Sequence, residues 1–133
     1  MPMPIIFQDP LYQENETKFL HKFANRKRLP VTFVNHPQAL LQVDAHTLVI
    51  AYNSSALPIR QLIVDITHPY KGPTGFLCWT IPPISSLEQE LDVAKESPLD
   101  LVNSRVASME KDYNMKAICT VDQWASTLYL KQK

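Results

Sequence analysis

Glycine is nearly missing from this 133-residue chain, which has only Gly72 and Gly75 beside 11 prolines. Phosphate-binding loops need glycines between a strand and a helix, where the backbone approaches the ligand closely. No glycine precedes residue 72, and neither motif occurs after it. The sequence therefore excludes a Walker loop and a dinucleotide-binding fingerprint, and we expect no cofactor.

Cysteine and histidine are too few and too scattered for a metal centre. Cys78 and Cys119 offer neither a disulfide framework nor metal-ligand spacing, and the four histidines show no HxxxH or HxH pattern. Cys78 lies within an apolar run, which predicts a small buried hydrophobic residue. We expect no metal site.

An excess of either charge is also absent, since 13 basic residues balance 13 acidic ones. This balance argues against a dedicated nucleic-acid binder and against polybasic membrane docking. Apolar runs stay far below the ~20 residues that a membrane helix needs, and the first residues lack the basic region of a secretory signal. We expect a protein of the cytoplasm or of the nucleus.

Short apolar and β-branched runs alternate with amphipathic stretches along the chain. They predict strands at residues 4–8, 30–34, 47–52, 75–81 and 126–131, and helices at 15–25, 58–66, about 85–95 and 97–113. In the first helix, Phe19, Leu20, Phe23 and Ala24 are predicted to share one face. In the second, Arg60 and Gln61 are predicted to face away from the apolar stripe.

This alternation predicts one α/β domain over residues 1–133. We expect a mostly parallel sheet flanked by helices in a Rossmann-like three-layer arrangement, with antiparallel pairing left open for the last strand. The run TLVIAY at residues 47–52 is apolar along most of its length, which predicts a strand buried on both faces.

Polar residues follow three of the predicted strands, where ligands bind in open α/β sheets. With Arg60, they form the candidate ligand-binding set: Asp9, Asn35, His36, Asn53, Ser54, Ser55 and Arg60. Ordinary turn chemistry selects the same residue types, so a structural role stays open for each. Asp65 and His68 can likewise meet at a helix end, either as a poised base or as a plain contact. The chain has no nucleophile elbow and no zinc-deaminase signature, and we predict no catalytic residue.

Four short motifs carry a family resemblance: QDPLY at residues 8–12, FVNHP at 33–37, TLVI at 47–50 and LPIRQLIVDI at 57–66. Their order resembles the sensitivity-to-red-light-reduced (SRR-like) domain family in its fungal form. The resemblance implies a regulatory domain without an established biochemical activity, and it carries over no catalytic residue. It also implies that an upstream glycine-containing βα unit of the family is missing here.

We therefore expect a non-enzymatic regulatory or protein-interaction domain. A sheet edge left uncovered by the missing unit predicts self-association, as a homodimer. A small-molecule binder or small enzyme that uses the strand-end residues is the alternative. A nucleic-acid surface would rest only on Lys22 and the basic residues 26–28, which we interpret as the solvated end of a helix, and neither nucleic acid nor membrane is an expected partner.

Overall fold

A computed structural model describes residues 3–9, 11–51, 57–82, 100 and 102–133. The chain divides into two compact units, Met1–Gln42 and Val43–Lys133. The predicted helix at about 85–95 lies outside the described residues. Among the helices within these ranges, none has the length and apolar character needed to cross a membrane.

The first unit is a small βαβ arrangement. Strand β1 (Ile5–Phe7), helix α1 (Glu14–Lys27) and strand β2 (Val31–Phe33) precede a 3-10 turn at Leu40–Gln42. The two strands pair in parallel with Phe7 opposite Phe33, and these two rings stack with centroids 5.4 Å apart. The ring of His21, on α1, lies 4.4 Å from that of Phe33.

The second unit is built on a four-stranded sheet. Its elements are β3 (Leu48–Ile50), α2 (Ile59–Ile66), β4 (Gly75–Trp79), α3 (Ser104–Ala107), α4 (Met109–Asp112), β5 (Met115–Val121) and β6 (Ser126–Lys131). The strand order is β3-β4-β6-β5. Among the described residues of this unit, the buried apolar ones lie in or next to the strands and helices α2, α3 and α4: Ile63, Val64, Phe76, Cys78, Ile81, Val106, Met109, Tyr113, Met115 and Tyr129.

Both glycines permit close packing in this unit. Gly72 has φ +89°, and a Cβ there would come within 2.8 Å of the Tyr113 ring. A Cβ on Gly75 would come within 2.7 Å of Leu130 and 2.8 Å of Leu48. The two glycines thus serve backbone conformation and packing between neighbours rather than a ligand loop.

The predicted fold class is wrong. Only β3 and β4 are parallel in the four-stranded sheet, whereas β4–β6 and β5–β6 are antiparallel, and β1 and β2 form a separate two-stranded sheet. The main cause is strand β5, which sequence reasoning missed. The run MKAICTV does carry a strand signal, since the apolar residues Met115, Ala117, Cys119 and Val121 alternate along it, although its residues 116–120 are all exposed in the structure. A short connection turns β5 back into β6, and tight connections join antiparallel strands.

Strand β3 also differs from its prediction. Leu48 and Ile50 are 42% and 66% exposed rather than buried on both faces. Leu48 and Ile50 alternate with Val49 along the strand and so share one face of the sheet, and the described part of the chain leaves that face of β3 open to solvent.

The remaining described elements confirm much of the pattern. Helix α1 covers the predicted residues 15–25 and extends beyond them at both ends, α2 covers the predicted helix at 58–66 except its first residue, and a strand spans residues 126–131 with antiparallel neighbours. The predicted helix at 97–113 is two short helices in its described part, separated at Ser108. The apolar stripe predicted for it still faces the core, because Val106, Met109 and Tyr113 are buried.

The two thiols of this unit should differ sharply in reactivity. Burial raises the pKa of Cys78 to about 12, whereas Cys119 is exposed on β5. At about pH 8 the native protein should therefore show one promptly reacting thiol with a disulfide reagent, and the second only after denaturation. The variant Cys119→Ser should show no prompt reaction, and a fast thiol in that variant would contradict the buried placement of Cys78.

Candidate interaction surface

Helix α1 carries the candidate site, and its ends follow ordinary helix chemistry. The backbone N–H of Gln13 donates to the Glu16 carboxylate at 2.8 Å, which fixes the first turn. The helix ends where Arg28 adopts a left-handed conformation with φ 54°. Acidic residues occupy the first turn and basic residues the last, as the helix dipole favours.

Fewer side chains of α1 are buried than its sequence pattern suggests. Ala24 is 4% exposed, whereas Phe19 and Phe23 are 68% and 49% exposed. The prediction that both rings share the packed face with Leu20 and Ala24 is therefore wrong. At about 100° per residue, Phe19 lies about 100° and 140° around the helix from positions 20 and 24, and Phe23 lies about 60° and 100° from them. Turning Ala24 towards the three-residue strands turns the two rings outward.

The exposed rings belong to an open surface along this side of the helix, which we call the α1 outer face. It is lined by Phe19, Lys22, Phe23, Asn25 and Arg26. Nearby, Lys18 is held by Glu14 at 2.6 Å. Among the described residues, Lys22 and Arg26 have no ion-pair partner. The α1 outer face is therefore apolar at its centre and positively charged beside it.

The predicted strand-end residues of the first unit make local bonds. The Asp9 carboxylate accepts from the backbone N–H of Leu11 at 2.8 Å, and the Asn35 carbonyl accepts from Gln38 N–H at 2.8 Å. His36 Nδ1 lies 3.3 Å from the Gln8 side-chain nitrogen. The His36 ring therefore contacts the Gln8 side chain, whereas the Asp9 carboxylate is bonded within its own turn. Gln8 was not among the predicted site residues, although it is a polar residue directly after β1 and so meets the criterion by which the strand-end residues were chosen.

The other predicted ligand residues lie in the second part of the sequence. Asn53, Ser54 and Ser55 are outside the described residues. Arg60 is 5% exposed, so the prediction that it faces away from the core is wrong. The strand-end ligand site as a whole stays a prediction.

Arg60 is buried because Asp100, itself 2% exposed, meets it with both carboxylate oxygens. The Arg60 backbone N–H and its Nε each donate to the carboxylate at 3.0 Å. Its two terminal nitrogens donate to the backbone carbonyls of Thr80, at 3.3 Å, and of Asp100. Burial raises the pKa of the Asp100 carboxyl, and the guanidinium beside it opposes that rise.

Asp65 and His68 do not form the pair considered from the sequence. The Asp65 carboxylate accepts from Arg105 at 2.5 Å. His68 Nδ1 lies 3.1 Å from the Tyr113 hydroxyl, which donates to the Val64 carbonyl at 2.7 Å. Because that hydroxyl proton is committed to Val64, His68 is the donor to Tyr113. These contacts hold α2 to its neighbours, and among the described residues no carboxylate is hydrogen-bonded to His68.

The described side chains assemble no metal-binding group of three or more His, Cys, Asp or Glu residues. The α1 outer face has aromatic, amide and cationic groups but no nucleophile and no general base of its own. Its chemistry is suited to binding an apolar, acidic surface.

Comparison with known proteins finds no match to a family model, to a curated protein or to a solved structure. The resemblance to the SRR-like family therefore stays a prediction.

Removing Arg60 should destabilise the protein far more than removing a surface arginine. Arg60→Ala leaves Asp100 buried without its cation, which should cost about 3–5 kcal/mol of unfolding free energy near neutral pH. Arg105→Ala, which breaks the exposed pair with Asp65, should cost under about 1 kcal/mol. Urea denaturation of both variants measures the difference.

The same variant should have a distinctive pH dependence. Without the guanidinium, the pKa of Asp100 in the folded state rises further above its unfolded value. A raised folded pKa gives stability that is lost as pH rises through it, so the deficit of Arg60→Ala should shrink on acidification. Equal deficits for the two arginine variants, or one for Arg60→Ala that grows on acidification, would contradict the buried pair.

Proposed function

We propose that the chain is a non-enzymatic regulatory domain that acts by binding a protein through the α1 outer face. The observation that carries this proposal is the exposure of Phe19 and Phe23 on one side of a well-formed helix. Fully burying a phenylalanine side chain is worth roughly 1.5–3 kcal/mol, so a partner that covers both rings gains substantial binding energy.

The charges beside the rings restrict the chemistry of that partner. Lys22 and Arg26 favour a surface that offers carboxylates at the rim of an apolar centre. Such a division, with apolar anchors inside and charges outside, is the usual anatomy of a protein interface. The SRR-like resemblance adds support for a regulatory role over an enzymatic one.

The compartment we propose is the cytoplasm or the nucleus. Cys78 and Cys119 are both free thiols, and free thiols persist in reducing compartments. A regulatory partner would then be met inside the cell.

Site-specific photo-crosslinking tests this function. A photoreactive phenylalanine analogue replaces Phe19 in the full chain, expressed in the cells that naturally contain it. Leu41 is the matched control position, because it is 73% exposed but belongs to the 3-10 turn and not to α1. We expect discrete protein adducts from position 19 that are absent from position 41. Adding Phe23→Ser should reduce them roughly tenfold or more, the affinity equivalent of one lost ring.

Two outcomes would overturn the proposal. The first is an absence of adducts from position 19 in cells where the chain is folded and abundant. The second is the same set of adducts from positions 19 and 41, which would show non-specific adhesion instead of a defined surface.

A further inference from the structure

We propose that the protein seated on the α1 outer face is a second copy of this chain, with the two α1 helices antiparallel about a two-fold axis. This inference rests on the proposed function, since it names the partner of the same surface. The order of the aromatic and charged side chains along α1 supports this inference.

The aromatic pair complements itself in this arrangement. Phe19 and Phe23 lie equally far from the level of residue 21, one on each side of it. A two-fold axis at that level places Phe19 of one copy opposite Phe23 of the second copy, and the reverse. Such an interface is isologous, so one patch serves both copies. Aromatic rings brought together in this way gain from offset or edge-to-face contact in addition to burial.

The charges complement each other about the same axis. Glu16 and Arg26 are also equally far from the level of residue 21, on opposite sides. The axis that pairs the rings therefore brings Glu16 of one copy to the level of Arg26 of the second copy, twice per dimer. An obliquely crossed pair of helices lets these long side chains meet across the edge of the rings. The chain's zero net charge adds no overall repulsion between copies.

A parallel arrangement lacks this match. It would bring Glu16 beside Glu16 and Arg26 beside Arg26, and it would align the two helix dipoles unfavourably. An unrelated acidic partner could satisfy Arg26, but it would not need Glu16 at the opposite end. The balanced placement of one acid and one base favours a second copy.

Charge reversal tests the pairing directly, using the purified full chain in sedimentation equilibrium. The wild-type chain should approach twice its 15.2 kDa mass at micromolar concentrations. Glu16→Arg should be monomeric there, because it would set two positive charges against each other at both contacts with Arg26. Arg26→Glu should also be monomeric, because it would set two negative charges against each other at both contacts with Glu16. An equimolar mixture of the two variants should restore a dimer, in which one of the two contacts joins the two introduced charges and is attractive again.

Matched controls separate the interface from general charge and from folding. Glu14→Arg and Lys18→Glu make the same charge changes at positions about 160° and 120° around the helix from the middle of the seam, and both should remain dimeric. Phe19→Ser should be monomeric. Circular dichroism should show helix content near the wild-type level in each variant. Glu16→Arg loses its bond to Gln13, so Arg26→Glu, which leaves that bond intact, decides the case if the first variant fails to fold.

The outcomes distinguish this inference from the function on which it rests. A wild-type chain that stays at 15.2 kDa up to about 100 µM overturns self-pairing, and crosslinks to other proteins would still support the interaction domain. A dimer that survives Arg26→Glu, or folded variants whose mixture stays monomeric, overturns the antiparallel pairing at α1.

Discussion

An arginine and an aspartate that are both withdrawn from water hold three separate stretches of the second unit together. Arg60 lies in α2, Asp100 precedes α3, and the Thr80 carbonyl that completes the arginine's bonding follows β4. Burying two charges is expensive unless their remaining donors and acceptors are satisfied. Here the carboxylate accepts two bonds from Arg60 and two backbone carbonyls take the rest of the guanidinium. The positions of α2, β4 and the start of the last helical region are therefore coupled through one cluster.

The two units depart from simple hydrophobic patterning in opposite directions. The second unit buries a charged pair where periodicity predicts a solvent-facing arginine, and the first exposes aromatic rings where periodicity predicts a packed face. Sequences that fold well usually agree across these levels, so local disagreements point to special structural or functional demands. The buried pair has a structural role, because its hydrogen-bond donors and acceptors are bonded within the fold. No such structural role is found for the exposed rings within the described part of the chain, and they are therefore the side chains that we expect a partner to cover.

Local sequence signals were sufficient for five strands and two helices but not for the architecture. Runs such as GFLCW and STLYLK identify β4 and β6 by themselves, and the stripe through Ile63 identifies α2. Strand β5 was not predicted, although apolar residues alternate along it; what its sequence does not contain is the antiparallel pairing with β6, which is irregular at residues 117–119. The burial of Arg60 was not predicted, because its partner Asp100 is 40 positions away in the sequence and no local rule pairs the two residues. The same limit applies to α1, since the rotation of a helix on its sheet is set by what it covers.

The exposure of the α1 rings also bears on the stability of the first unit. This unit has two strands of three residues each, and its described residues that are largely withdrawn from water are only Ala24 and Leu40. Two-stranded sheets need packing against other elements for independent stability. Any protein that binds the folded unit and not its unfolded form raises its stability by mass action. Covering the α1 outer face would therefore join two molecules and would also stabilise the first unit, because it would add apolar contacts to a unit in which few of the described residues are buried.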